Sequence, residues 1–322
     1  MGAMSVEISV VVPVYRSAAT LPDLLARLKA VLGKMGVTHE IILVEDGSPD
    51  NAWDVISELH RQDPDGFIAI RLMRNYGQHN ALMCGFRRST GRYVVTLDDD
   101  LQNPPEEIPT LYRAMLDGNF DLIYGSPHDK QHASWRNAGS RLINLFFRTV
   151  FRSPVNVTSY RIIRRELVLS TFGYDLNFTF VDGLLAWNTQ KIGSVGVEHH
   201  TRGVGRSGYS LTKLATLGMN LFTNFSLLPL QVISACGALC ACLGFMAAFY
   251  YLVQALLSNI TVPGYASLMV TLLIVGGVQL LSLGVMGEYL GRLHLNVNRK
   301  PQYVERQVFE AGERADTVNR AA

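Results

Sequence analysis

From Leu214 to Gly287 the 322-residue chain has no Asp, Glu, Lys, Arg or His. With 17% of all residues charged, so long a bare stretch is not a soluble surface. It divides into two apolar runs, Leu228–Leu257 and Tyr265–Leu290, on either side of the uncharged turn Ser258–Gly264. Each run reaches the roughly 20 residues that a bilayer-crossing helix requires. Arg202, Arg206 and Lys213 precede the gap, and Arg292, Arg299 and Lys300 follow it. The excess of positive charge at both flanks predicts a hairpin of two spans with both flanks cytoplasmic.

Other absences narrow the reading further. The chain has only four cysteines, Cys84, Cys236, Cys240 and Cys242, and no C-x-x-C pair, so neither a zinc site nor a disulfide framework is expected. A net charge of +2 excludes a strongly basic nucleic-acid binder. No basic segment followed by an apolar core opens the sequence, so no cleaved signal peptide is expected and the polar part is placed in the cytoplasm. There is no internal repeat.

The first two hundred residues alternate short β-branched runs with amphipathic segments. Strands are predicted at Ile8–Val14, Glu40–Val44, Phe67–Leu72 and Tyr93–Leu97, and helices at Leu21–Leu32, Asn51–Arg61 and His79–Arg88. That rhythm predicts an α/β domain with a parallel, doubly wound sheet, whose ligands sit beyond the carboxyl ends of the strands. Trp135–Phe151 and Lys213–Phe225 are expected to be amphipathic or interfacial helices, and Glu305–Ala322 a polar, frayed tail. The organisation expected is therefore a domain over 1–225, a membrane hairpin over 226–292 and a cytoplasmic tail over 293–322.

Two acidic turns fall at strand ends, Glu45-Asp46-Gly47-Ser48 and Asp98-Asp99-Asp100. Side chains alternate along a strand, so Asp98 and Asp100 are expected on one side and Asp99 on the other. Two converging carboxylates repel unless a cation lies between them, and hard oxygen ligands suit Mg²⁺ or Mn²⁺. Gly47 fits the left-handed position of a tight turn. His79, His199 and His200 have no partner at metal-ligand spacing and are read as structural.

The succession VVPVY, EDGS, RNYGQHNALMCGF, TGRYVVTLDDDLQNPPEEIP and, after the spans, GEYLGRLH resembles the family 2 glycosyltransferases that load polyprenyl phosphates. It is similar to dolichyl-phosphate mannose synthases and, through NYGQH, DLQNPPEEIP and GEYLGR, to undecaprenyl-phosphate 4-deoxy-4-formamido-L-arabinose transferases. The resemblance implies a GT-A (Rossmann-like) fold and an inverting, metal-dependent transfer from a nucleotide-sugar, a UDP-sugar, to undecaprenyl phosphate at a bacterial inner membrane. Homo-oligomers and a role in lipid A, O-antigen or other envelope glycans are implied with it. Pro13, Tyr15, Glu45 and Asp46, together with Asp98, match the nucleotide-sugar pocket. Asp98, Asp100 and Gln102 match the metal-binding D-x-D-x-Q. Arg136, Arg202, Arg206, Ser207 and Tyr209 match or stand in for positions near the acceptor phosphate.

The chain also departs from that pattern. Tyr15-Arg16-Ser17 replaces Tyr-Asn-Glu, Glu45 replaces Asp, and Gly208 stands where Lys is common. Asn156 occupies the place of an Asp proposed as catalytic base in the family. An acceptor phosphate with a second pKa of ~6 is already ionised at pH 7, so such a nucleophile needs positioning rather than a base. Asn156 is accordingly read as an acceptor-orienting residue. Two rival readings are a processive polysaccharide synthase, whose Q-x-x-R-W is not matched by Gln131–Arg136, and a catalytically weak nucleotide-sugar-binding scaffold.

Overall fold

The computed structural model describes residues 6–127, 157–174, 179–200, 264–297 and 301–312, with helical positions between 230 and 253. The chain divides into two compact units, Met1–Tyr209 with Pro301–Ala322, and Ser210–Lys300.

Among the described residues, the first unit holds one eight-stranded sheet. Strands β1 (Ile8–Val14), β2 (His39–Glu45), β3 (Ile68–Leu72) and β4 (Tyr93–Thr96) alternate with helices α1 (Leu21–Met35), α2 (Ala52–Gln62) and α3 (Gln78–Arg88). Every residue of β1 is buried, as a central parallel strand covered on both faces demands. Helix α1 runs past the Leu32 expected from the apolar spacing because Gly33 does not break it. It stops at Gly36, whose φ of 65° supplies the left-handed cap. Next come α4 (Ile108–Asp117), β5 (Leu122–Pro127), β6 (Arg161–Arg164), α5 (Arg165–Ser170), α6 (Val181–Asn188), β7 (Ile192–Val197) and β8 (Glu305–Phe309).

The strand order is β7-β5-β6-β4-β1-β2-β3-β8. Strands β4, β1, β2 and β3 pair in parallel, as the sequence predicts. The sheet as a whole is mixed, however, because β6 runs antiparallel to both β4 and β5 and β8 runs antiparallel to β3. The fully parallel expectation is corrected on that point.

Residues 305–309 are likewise not a frayed tail. They close the sheet edge beside β3, and Phe309, 3% exposed, stacks on Trp53 at 5.1 Å and lies 5.1 Å from the His60 ring. Arg88 binds Glu305 and Glu310 from α3. Phe309→Ala is expected to cost about 3 kcal/mol, the lower end for emptying a buried aromatic site. Equilibrium unfolding of the detergent-solubilised protein checks this; a change under about 1 kcal/mol would return the segment to a loose tail.

In the second unit Tyr265–Val297 forms one 33-residue helix. Counted over the described residues alone, no helix is long and apolar enough to cross a membrane. The interfacial helices expected at 135–151 and 213–225 lie outside the described residues.

Candidate functional site

Because β4, β1, β2 and β3 are neighbours and parallel, the segments leaving their carboxyl ends gather at one sheet edge. Both acidic turns stand there, and side chains bind each turn to the next. Asp99 accepts hydrogen bonds from the Tyr15 N–H at 2.8 Å and from Ser17 Oγ. Thr20 Oγ1 donates to the Asp99 carbonyl at 2.7 Å. The Arg16 N–H, at a residue with φ of 58°, donates to Ser48 Oγ at 2.9 Å. Asp46 takes the Tyr76 and Gly77 amides at 2.6 and 2.8 Å. Gln78 Nε2 closes the circuit by donating to Asp98 Oδ1 at 2.6 Å.

Of the residues singled out in the sequence, Pro13, Tyr15, Glu45, Asp46, Asp98, Asp100 and Gln102 meet at this edge. Pro13 is buried in β1 opposite Val44, and Tyr15 is exposed. Asn156, Arg136, Arg202, Arg206, Ser207 and Tyr209 lie outside the described residues. Asp98 to Asp100 lie past the end of β4 at Thr96, so strand alternation does not set their directions; Asp99 fastens the exit of β1. Ser17 is the hydroxyl that reaches it, which gives the departure at Tyr15-Arg16-Ser17 a local role.

Asp98 is held on both oxygens, by Gln78 and by Ser159 Oγ at 2.5 Å. Burial pushes its carboxyl above the usual range, Ser159 opposes that, and the nearby Asp100 adds to it. Leu101 follows with φ of 59°, a left-handed turn that no glycine relieves. The Gln102 N–H donates to Asp100 Oδ1 at 3.2 Å, and the Gln102 carbonyl accepts from the His200 N–H at 2.9 Å.

Residues 9–172 match the family model for glycosyl transferase family 2, and 228–293 match that of the GtrB C-terminal hairpin. The chain belongs to glycosyl transferase family 2. It is 37% identical over 311 residues to an undecaprenyl-phosphate 4-deoxy-4-formamido-L-arabinose transferase from Pseudomonas aeruginosa (strain LESB58), covering 94% of this chain and 91% of the relative. The Enterobacter sp. (strain 638) protein of the same name is 34% identical over 310 residues, covering 95% and 94%. Among solved structures, Mycobacterium tuberculosis glucosyl-3-phosphoglycerate synthase, bound to Mn²⁺, UDP and phosphoglyceric acid, superposes with a TM-score of 0.50. It is 17% identical and covers 67% of this chain and 76% of that one, and establishes the GT-A fold.

In this glycosyltransferase the donor set after β4 fits a divalent cation. Among the described residues no group of three or more His, Cys, Asp or Glu is arranged to hold an ion. Two carboxylates are what Mg²⁺ and similar ions use when substrate phosphates complete the shell. The repulsion between Asp98 and Asp100 is what such an ion relieves.

His199 and His200 are exposed, and His79 is half-buried. His79 Nδ1 accepts from the Val181 N–H at 3.4 Å, its ring packs edge-on to Phe180 at 4.9 Å, and burial pulls it down to about 4.

Glu45 is 1% exposed; burial raises its carboxyl against hydrogen bonds from Ser48 and the charge of Arg71, whose Nε lies 3.4 Å away. Asp46, 2% exposed, is pushed up to about 6 by burial, against the pull of the Tyr76 and Gly77 amides. Its pKa is thus higher folded than unfolded, and the folded chain holds the extra proton between about pH 4 and 6. The stability Asp46 contributes is full below about pH 4 and is lost as pH rises through about 6. The stability of wild type minus that of Asp46→Ala should fall over that window by up to roughly 3 kcal/mol, the equivalent of about two pKa units. A flat or rising difference would contradict this assignment.

Proposed function

We propose that the protein is an inverting, metal-dependent glycosyltransferase that moves a sugar from a UDP-sugar to undecaprenyl phosphate at the cytoplasmic face of a bacterial inner membrane. One observation supports this most: the Asp98/Asp100 pair stands at the same sheet edge as Tyr15 and Asp46, in a chain similar along nearly its whole length to undecaprenyl-phosphate sugar transferases. The charge-free stretch and the hairpin match over 228–293 support a two-span anchor.

In this reading Pro13, Tyr15, Glu45 and Asp46 hold the nucleotide. Asp98 and Asp100, with Gln102, would hold Mg²⁺ or Mn²⁺, which when bound would supply Lewis-acid stabilisation of charge on the leaving group. Arg136, Arg202, Arg206, Ser207 and Tyr209 receive the acceptor phosphate, and Asn156 orients it. An oxygen of that phosphate attacks the anomeric carbon from the face opposite the leaving group. The anomeric C–O bond breaks, and UDP departs with the electron pair. No proton need be removed from a phosphate already ionised at pH 7.

The test is radiolabel transfer from a panel of UDP-sugars to undecaprenyl phosphate in detergent, with and without EDTA. The expected result is label in the lipid from one donor, abolished by EDTA and restored by Mg²⁺ or Mn²⁺. Metal-dependent UDP binding with no label from any donor would favour a scaffold, and labelling that survives EDTA would remove the metal role.

A further inference from the structure

A buried group of three side chains behind the carboxylate pair has no place in the reading so far. Arg161 Nη1 donates to Asp182 Oδ1, and Tyr124 Oη donates to the same oxygen at 2.8 Å. Arg161 and Asp182 are 1% and 5% exposed, so the pair is interior. Arg161 Nε is buried with no hydrogen-bond partner among the described residues. In register, Arg161 sits opposite Thr96 of β4 on one side and Tyr124 of β5 on the other. Thr96 lies two residues before Asp98, and Ser159, the hydroxyl on Asp98, lies two residues before Arg161. Thr96 Oγ1 donates to the Ser159 carbonyl at 2.7 Å, which pins the end of β6 to the end of β4.

We propose that Arg161, fixed by Asp182 and Tyr124, is a positioning residue that sets Ser159 on Asp98 and so governs how tightly the site takes a divalent cation. The proposal rests on the reading of Asp98 as a metal ligand. An interior ion pair adds little stability over an apolar pair of equal volume, so stability alone does not account for a cation buried here. Carboxylate ligands depend on the groups that hydrogen-bond and orient them, and loss of such a group weakens metal binding about 10–100-fold. Here the chain of contact is Tyr124–Asp182–Arg161 along β6 to Ser159, and from Ser159 Oγ to Asp98.

Removing one charge alone would strand the other in the interior, so the main variant neutralises both: Arg161→Met with Asp182→Asn, in which the amide oxygen that replaces the carboxylate still accepts from Tyr124. Arg161→Lys, which keeps the charge and loses the fork, is the second. The measurement on the full-length protein in detergent is the Kd of Mn²⁺, by electron paramagnetic resonance of free Mn²⁺ and by calorimetry with UDP, beside Tm. The double variant is expected to keep a Tm near wild type and to raise the Mn²⁺ Kd at least about tenfold, with Arg161→Lys between the two. A lowered Tm with unchanged Mn²⁺ Kd in either variant would make the pair merely structural and overturn the proposal. Should the double variant not fold, Arg161→Lys decides on the same Kd. If the wild type itself binds UDP without regard to Mn²⁺, the metal reading of Asp98 falls, and the positioning role with it.

Discussion

Asp98→Asn and Asp100→Asn, each made alone, are expected to lower sugar transfer on the order of 10³-fold while leaving Tm unchanged or raised. The loss is what the proposed metal role predicts, since each change removes a carboxylate that would hold an ion able to stabilise the leaving group by several kcal/mol, at about 1.36 kcal/mol per tenfold in rate. The stability effect has the opposite sign because the two carboxylates repel and burial disfavours the charge on Asp98. A site that costs stability and is kept for chemistry gains stability when its charge is removed. Initial rates at saturating Mn²⁺, paired with thermal unfolding, measure both. A variant that keeps a tenth or more of wild-type turnover would show that the carboxylate concerned is not a ligand.

Gly47→Ala carries the second large effect. At φ of 59°, a side chain there would place Cβ 2.4 Å from the carbonyl carbon of Arg74 and 2.4 Å from the nitrogen of Asn75. Those are backbone atoms of the loop whose Tyr76 and Gly77 amides bind Asp46, so the loop cannot yield without releasing that carboxylate. The backbone strain is about 1–3 kcal/mol, and the collision adds to it. Loss of about 3 kcal/mol or more is expected, with UDP binding weakened along with it. Gly36→Ala is the control, with φ of 65° and nothing within 4 Å of the added atom. It should cost only about 1–2 kcal/mol of left-handed strain and leave UDP binding alone. Equal effects from the two substitutions would mean that the approach of Gly47 to the Arg74–Asn75 backbone has no bearing on the donor pocket.

What the sequence made legible was what short-range pattern encodes. Strands β1 to β4 are apolar runs bounded by turns, and parallel pairing places both acidic turns at one edge. The family resemblance named Asp98, Asp100 and Gln102 as one set. Strand β6 offered only Arg-Ile-Ile-Arg, too short to register. Strand β8, Glu-Arg-Gln-Val-Phe, reads as polar because four of its five residues are not fully buried and only Phe309 reaches the core. Arg161 and Asp182 are 21 residues apart, with no spacing rule to join them; only the register of β6 between β4 and β5 does so. Asp99 was not legible as the fastening of Tyr15 and Ser17, since it lies past the end of β4, where alternation gives neither a direction nor a partner.

The central claim concerns which bond is made and which is broken, and the mass of the lipid product tests it most directly. With undecaprenyl phosphate and the donor that labels it, mass spectrometry should find the lipid monophosphate plus one glycosyl residue, with UDP released in equal amount. A lipid carrying a sugar on a diphosphate, with UMP released, would mean that a phosphosugar had been transferred. That result would contradict attack by the lipid phosphate on the anomeric carbon.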